Sequence, residues 1–362
     1  MALLHEAKHD ENCVTYKRDG GEMKAVLVGL GMVAQTHLRA IADADVDLAG
    51  VMSTRMDRAK AFANGAADIL GHVPHVYANA DEIAADPDVD FVVLCTPPNA
   101  RRELVETFAR AGKHILMEKP IERDAVAAEA IVEMCETAGV TLGVVLQHRM
   151  REASQYLTRL LAENAFGNVA LVEIAVPWWR DQSYYDEPGR GTYARDGGGV
   201  LISQAIHTLD LALSLLGPVI RVKATARTTA LHAMEAEDFV QAALDFTSGA
   251  IGAVTCSTAS FPGGAETITL HCALASVTLG SGRLIVHWRD GRTEEHGAVK
   301  STGGGADPMA FTHEWHQAIL TDFTAALREK RAPVASGRDA LQAQKLIDAM
   351  RASSRTDRTI LL

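Results

Sequence analysis

Near neutral pH, a lysine and a histidine are well suited to handling the proton of an alcohol, and this chain holds one of each in a distinctive setting. Lys119 closes an apolar run in Met117-Glu118-Lys119-Pro120, and His207 follows three glycines in Gly197-Gly198-Gly199-Val200-Leu201-Ile202-Ser203-Gln204-Ala205-Ile206-His207-Thr208-Leu209-Asp210. A cation beside a hydroxyl lowers its pKa and favours loss of hydride from the carbon that bears it. Ser203, His207 and Asp210 recur at helical spacing, with Gln204 beside them, so a polar face interrupts an apolar helix. Such a face costs stability unless it lines a site.

Hydride loss needs an acceptor, and the start of the chain supplies a place for one. Lys24-Ala25-Val26-Leu27-Val28-Gly29-Leu30-Gly31-Met32-Val33-Ala34 is an apolar strand that turns through two glycines into a helical pattern. Gly29 permits the reversal, Gly31 has no Cβ to hold a pyrophosphate away from the backbone, and Ala34 lets helix and strand pack closely. Met32 and Val33 then open a helix whose N–H groups point at the phosphates. At the end of the second strand, where a dinucleotide fold usually carries Asp or Glu for the ribose, stands Met52-Ser53-Thr54-Arg55. Without that carboxylate, Ser53, Thr54, Arg55 and Arg58 can donate to a 2′-phosphate, so the cofactor is NAD or NADP with a lean to NADP. Thr96 and Pro97 after the fourth strand, and Glu118 with Lys119 after the fifth, complete the expected cofactor contacts at the carboxyl edge of the sheet.

A second cluster precedes the glycine run. Residues 178–193 hold Trp178, Trp179, Tyr184, Tyr185 and Tyr193, accompanied by Arg180, Arg190 and Arg195. This loop can stack on a sugar and bond hydroxyls or a carboxylate, or it can serve as an apolar cover or subunit contact. Trp179, Arg180, Tyr185 and Arg190 are its candidate substrate contacts, joined by His148, Ser203, Gln204, Asp210 and His313. In His313-Glu314-Trp315-His316 the second histidine falls one position short of the HExxH zinc pattern, so no metal site is expected.

The elements that must position these residues follow from hydrophobic periodicity. Apolar runs at Ala25–Val28, Val46–Met52, His75–Tyr77, Phe91–Cys95, His114–Met117 and Leu142–Leu146 alternate with helical patterns, with helix starts at Asn79 or Asp81, Asn99 and Asp124. Six such strands predict a doubly wound parallel α/β sheet over residues 23–146. After Leu146 come a helix (Ser154–Glu163), a strand (Ala170–Val176) and a helix (Gly199–Leu216). Strands follow at Ile220–Thr228, Phe239–Phe246, Ile251–Ser260, Thr267–Cys272 and Arg283–Trp288, with Thr247-Ser248-Gly249 as a hairpin turn. Gly303-Gly304-Gly305 marks a loop, and helices are expected at Met309–Arg328 and Asp339–Ser353, the latter opened by the capping box Ser336-Gly337-Arg338-Asp339. Residues 147–362 thus predict an α+β domain with a large, mostly antiparallel open sheet. Its C-terminal helices are free to pack back on the first domain.

Composition narrows the function class. In 362 residues, 48% are hydrophobic, enough for a large core, and a net charge of −11 argues against nucleic acid as a partner. The five cysteines are scattered without a CxxC pair, which fits a reducing, cytoplasmic compartment. No apolar run approaches a membrane span, so a membrane is not an expected partner. Residues 1–22 are polar and unpatterned, a flexible tail ahead of Met23, which is itself a candidate start.

With the Glu-Lys-Pro and Gly-Gly-Gly-to-His-x-x-Asp motifs in view, the chain from Lys24 to Leu362 resembles the Gfo/Idh/MocA family of glucose-fructose oxidoreductase and inositol dehydrogenase relatives. The resemblance implies a Rossmann domain, a second domain with an open sheet, and NAD(P)-linked redox chemistry on sugars, polyols or sugar acids. It also implies that Lys119 contacts the reacting hydroxyl, that His207 exchanges the proton, that a cis peptide can precede Pro120, and that a homodimer or homotetramer forms. Where inositol dehydrogenases carry Asp four residues before the histidine, this chain has Ser203. The alternatives are a nucleotide-linked sugar as substrate, an NAD-dependent glycosidase, and a non-catalytic sugar sensor.

Overall fold

The computed structural model describes residues 22–299 and 311–362. The expected N-terminal tail up to residue 21, the 303–305 glycine loop and the first residues of the helix expected from Met309 lie outside that range. The first half forms a parallel sheet from β1 (Met23–Val28), β2 (Val46–Met52), β3 (His75–Val76), β4 (Phe91–Leu94), β5 (His114–Glu118) and β6 (Leu142–Val145). Helices α1 (Ala34–Ala42), α2 (Met56–Leu70), α3 (Ala80–Ala85), α4 (Arg102–Arg110) and α5 (Ala125–Thr137) alternate with the strands. The strand order β3-β2-β1-β4-β5-β6 reverses direction between β1 and β4, which opens a crevice at their carboxyl ends.

Burial explains the strand sequences. Every residue of Phe91-Val92-Val93-Leu94 is buried, as a parallel strand covered by helices on both faces requires. Asn79 caps α3 by accepting from the Glu82 N–H, and Asp124 caps α5 by accepting from the Ala127 N–H. No helix starts at Asn99. Pro98 instead opens a 3₁₀ turn over Pro98–Ala100, and α4 begins at Arg102, leaving the Arg101 side chain for another task.

The second half adds α6 (Glu152–Ala162), β7 (Val169–Pro177), α7 (Gln182–Tyr185), α8 (Ile206–Leu216), β8 (Val219–Arg227), β9 (Phe239–Phe246), β10 (Ile251–Ser257) and β11 (Thr267–Cys272). It closes with β12 (Ala275–Gly280), β13 (Arg283–Trp288), β14 (Thr293–Gly297), α9 (Glu314–Glu329), α10 (Gly337–Thr356) and β15 (Ile360–Leu361). These strands form one nine-stranded sheet in the order β14-β13-β12-β11-β7-β10-β9-β8-β15. All its pairs are antiparallel except β7 with β10. Three strands were absent from the sequence reading. β12 follows β11 through Ala273-Leu274, a turn without Gly, Asn or Asp; β14 (Thr-Glu-Glu-His-Gly) has no apolar face; and β15 is two residues long.

Helices α9 and α10 bind the halves together. The Phe323 ring of α9 meets Phe91 at 5.4 Å, and a Cβ on Gly143 would come within 2.6 Å of it, so that glycine makes room for the ring. On α10, Ser353 and Ser354 accept from the N–H groups of Ala224 and Ala226 in β8, while Lys345 reaches Glu129 on α5 at 2.9 Å. The α10 capping box forms between Ser336 and Asp339.

Candidate active site

The turn after β1 is built as a dinucleotide site needs. Gly29 has φ +94°, a left-handed conformation, and a Cβ there would lie 2.8 Å from the Thr96 nitrogen. Gly31 differs: a Cβ on it would meet nothing within 4 Å, so the space that the glycine leaves open belongs to the cleft and not to protein packing. The cleft, of about 730 Å³, runs from this turn past the ends of β2, β4 and β5 to the second domain, a size suited to a cofactor with a small ligand. Met32, Val33, Ser53, Thr54, Arg58, Thr96 and Pro97 line it on the first domain's side. The residues present therefore fit a dinucleotide.

At the end of β5 the backbone turns through a cis Lys119–Pro120 peptide. Arg101, buried under the turn, donates to the carbonyls of Glu118 and Pro120, and to the Thr96 carbonyl at 2.7 and 3.0 Å. One guanidinium thus ties the loops after β4 and β5 to each other. Burial pulls it down to about 10, with Glu118 opposing, so it stays cationic at neutral pH. Lys119 Nζ donates to the Ser203 carbonyl at 2.7 Å, across the domain boundary. That carbonyl belongs to a π-helical turn over Leu201–Ala205 that leads into α8, an irregularity frequent at functional sites. Burial lowers the Lys119 ammonium, with Arg190 and Arg101 adding to the shift and Glu118 opposing it.

His207 lies one residue into α8 and on the cleft wall, its ring stacked on that of His148 with centroids 4.9 Å apart. Burial, reinforced by the Lys119 charge, holds His207 well below the usual imidazole range; burial and Arg151 do the same to His148. Both rings are therefore neutral at pH 7. Arg151 in turn pairs with Glu266 at 2.6 Å, lies 2.5 Å from His148 Nε2 and covers the Trp315 ring.

Behind Lys119, Glu118 Oε1 meets His37 Nε2 at 2.8 Å and His316 Nε2 at 3.7 Å. Burial opposes a charge on His37, yet Cys95 and Glu118 raise it to about 10. Burial works against the Glu118 carboxylate as well, but the neighbouring His316 and the hydrogen bond with His37 hold it well below the usual range. Ligand-capable atoms of these three side chains lie within 4.8 Å of one another. His37 and Glu118 shift in the directions expected of an ion pair.

The structure also relocates five candidates. Arg55 is exposed and paired with Asp57 at 2.6 Å, leaving Arg58 on the wall. Trp179 bridges Ala259 in the backbone and points away from the cleft, because alternation along the chain gives the inward position to Trp178. Tyr185 bonds Thr258 at 2.6 Å, while Tyr184, a third of a turn away on α7, faces the cleft. Asp210 is fully buried in a two-pronged pair with Arg149 at 2.6 and 2.7 Å, bracing α8. His313 reaches Asp43, just past the end of α1, and His316, one helical turn on, takes the wall position. Glu118, His148, Arg180, Arg190, Ser203 and Gln204 are on the wall with Lys119 and His207. The sequence reading passed over Arg101, Arg151, His37 and His316. For His37 and His316 the local signal was an imidazole inside an apolar helical pattern; Arg101 and Arg151 stand in polar stretches just before α4 and α6 and carried no such signal. The glycine run brings the backbone close to protein: a Cβ on Gly199 would overlap the Glu237 carbonyl at 1.8 Å.

Comparison with known proteins places this geometry. Residues 23–146 match the model of an oxidoreductase family with an NAD-binding Rossmann fold, and residues 154–278 match that of the GFO/IDH/MocA C-terminal domain. A D-apiose dehydrogenase of Paraburkholderia graminis is 29% identical, over 94% of this chain and 89% of its own. An inositol 2-dehydrogenase of Rhizobium meliloti is 28% identical, over 89% of this chain and 94% of its own. Among solved structures, the WlbA dehydrogenase from Bordetella pertussis in complex with NADH and UDP-GlcNAcA superposes with a TM-score of 0.78. That structure is 28% identical and covers 94% of this chain and 99% of its own.

Proposed function

Because the chain belongs to the Gfo/Idh/MocA oxidoreductase family, we propose that it oxidises a CH–OH carbon of a free sugar, polyol or sugar acid, with Lys119 and His207 managing the hydroxyl proton. The observation that carries this reading is the Lys119 contact to Ser203, which brings a lysine and, one helical turn further on, a neutral histidine to the wall of the cleft that holds the dinucleotide turn. Bound nicotinamide supplies the hydride acceptor. An ammonium has three donors, and Lys119 spends one on Ser203, leaving two for the substrate oxygen. His207, neutral because of its burial, takes the hydroxyl proton as negative charge develops on that oxygen, and the Lys119 cation stabilises the charge. Cleft walls formed by Trp178 and Trp315 limit water around the reacting carbon.

Ser53, Thr54 and Arg58 at the adenosine end, with no carboxylate among them, support NADP as the preferred cofactor. Likeness to a dehydrogenase solved with UDP-GlcNAcA supports a second reading, a nucleotide-linked sugar in the same chamber. The exposed face of the nine-stranded sheet supports assembly into a homodimer or homotetramer, which light scattering measures. Initial rates at 340 nm with NAD and with NADP, over a panel of sugars, polyols and sugar acids, test the function. Turnover that is lost in Lys119→Met and His207→Asn is expected. Full activity in both variants would overturn the assignment of roles.

A further inference from the structure

Beside the cleft lies a second, much smaller chamber of about 10 Å³, bordered by α6, α8 and the paired ends of β11 and β12. His148 and Arg151 line both spaces, and Ser154, Thr208 and Glu266 line the small one with them. All five side chains are buried. Four of their atoms, His148 Nδ1, Arg151 Nε, Ser154 Oγ and Thr208 Oγ1, have no hydrogen-bond partner among the described residues. Buried polar groups are almost always bonded, and where protein supplies no partner an ordered water does.

The neighbouring contacts decide where the His148 proton sits. Arg151, which can only donate, directs an N–H at His148 Nε2 from 2.5 Å, so that nitrogen is an acceptor and carries no hydrogen. In the uncharged ring the proton is then on Nδ1, the atom without a protein partner. Glu266 Oε1 accepts from Arg151 at 2.6 Å and Glu266 Oε2 accepts from Trp178 at 3.2 Å, which fixes that guanidinium in place. The same pairing meets the arginine charge, so an anion is not called for here. A single water needs roughly 10–15 Å³, and two hydroxyls able to donate or accept suit it as an occupant.

We propose that one ordered water occupies this chamber, accepting from His148 Nδ1–H and donating to the Ser154 or Thr208 hydroxyl, and that Arg151 and this water together lock His148 as a positioning residue for His207. The two rings are stacked with centroids 4.9 Å apart and planes 28° apart, so an imidazole held at both nitrogens gives the His207 ring a fixed face to rest against. With its Nε2 lone pair bonded to Arg151, His148 has none left to take a proton. On the dehydrogenase reading above, the hydroxyl proton therefore stops at His207 and is not shared between two imidazoles.

The water and the lock are tested without turnover, and only the kinetic arm rests on the dehydrogenase reading. A crystal structure of the full chain with its cofactor, fine enough to order waters, should show one water within about 3.2 Å of His148 Nδ1 and of at least one of the two hydroxyls. An empty chamber, or an anomalous peak there after a bromide soak, would overturn the water. Nitrogen-15 spectra of labelled histidines, with His148 assigned by its loss in His148→Gln, should show hydrogen on Nδ1 and none on Nε2 at pH 7. Arg151→Met combined with Glu266→Gln, which strands no buried charge, should abolish that signature. The reverse tautomer or a cation in the wild type, or an unchanged spectrum in the double variant, overturns the lock. In the kinetic arm, rates at 340 nm with whichever substrate the panel identifies should show kcat lowered by roughly 10- to 100-fold in His148→Gln, with KM within about twofold of wild type. His148→Phe, which keeps a stacked ring, should recover part of the loss. A raised KM with unchanged kcat would make His148 a substrate contact and overturn the positioning role. If no compound turns over, the dehydrogenase reading falls, and the crystal and the spectra still decide the water and the lock. Should the double variant fail to fold, the wild-type crystal and spectra give the same decision.

Discussion

Replacing Arg101 by methionine tests how the two cofactor-side loops are held. The side chain is 2% exposed and serves three backbone carbonyls, those of Thr96, Glu118 and Pro120. Methionine fills much of the same space but donates nothing, so the carbonyls lose a charged partner while staying largely shielded from water. A buried polar group left unpaired costs about 1–3 kcal/mol. Three of them, with some relief from water entry, come to roughly 3–6 kcal/mol, a large part of the 5–15 kcal/mol that is usual for a folded protein. At about 2–4 °C per kcal/mol, the thermal midpoint should fall by roughly 10 °C or more. Arg101→Lys keeps the charge but lacks the planar fork that reaches both loops, and should recover only part of the loss. The assay is thermal unfolding followed by circular dichroism, paired with cofactor titration and turnover at a temperature where each variant is folded. Because the same guanidinium sets the backbone that carries Lys119, kcat should fall even in the folded variant. A midpoint within about 2 °C of wild type, together with unchanged kcat, would refute the reasoning.

Three further outcomes follow from the geometry. With His207 held below its ordinary value of 6.5, kcat/KM for oxidation should rise with pH to a plateau whose midpoint is below 6.5, and His207→Asn should lower it by about 10²–10⁴-fold and remove that limb. Gly31→Ala should leave the thermal midpoint in place and weaken cofactor binding, because its methyl enters only the cleft, whereas Gly29→Ala, at φ +94° and 2.8 Å from backbone, should lower the midpoint itself. The His37–Glu118 pair gives a pH signature in stability. His37 has its folded value raised from 6.5 to about 10, so its contribution is complete below 6.5 and is lost as pH climbs to 10. The midpoint difference between wild type and His37→Gln should therefore shrink across that interval, and a constant difference would contradict the assignment.

Much of the fold was legible because local pattern and global architecture agree. Short apolar runs rich in β-branched and aromatic residues, such as Phe91-Val92-Val93-Leu94, fit strands buried on both faces, and Asn79, Asp124 and Ser336 cap helices for reasons contained in their own side chains. β14 was invisible for the opposite reason: its residues have no strand pattern, and pairing with β13 alone makes it one. The aromatic loop was recognised as a group, but its inward members were assigned one residue out of step. Trp178 and Tyr184 face the cleft, and Trp179 and Tyr185 do not. Orientation there depends on where β7 ends and on the start of a four-residue helix, which the sequence marks weakly.

Residue type and spacing alone determined the chemistry within reach: a glycine turn open to a dinucleotide, a lysine at the end of the fifth strand, a histidine on an apolar helix. Each is a local property, written in a few consecutive residues. Only the tertiary structure decided which groups act on one another. The contact of Lys119 with Ser203 spans 84 positions and that of His37 with Glu118 spans 81. Arg149 takes Asp210 out of the polar face that helical spacing gave it, because a buried carboxylate must find a cation and the nearest one lies 61 positions away. Charge and hydrogen-bond satisfaction in a low-dielectric interior are settled between elements, and no periodicity along the chain records them.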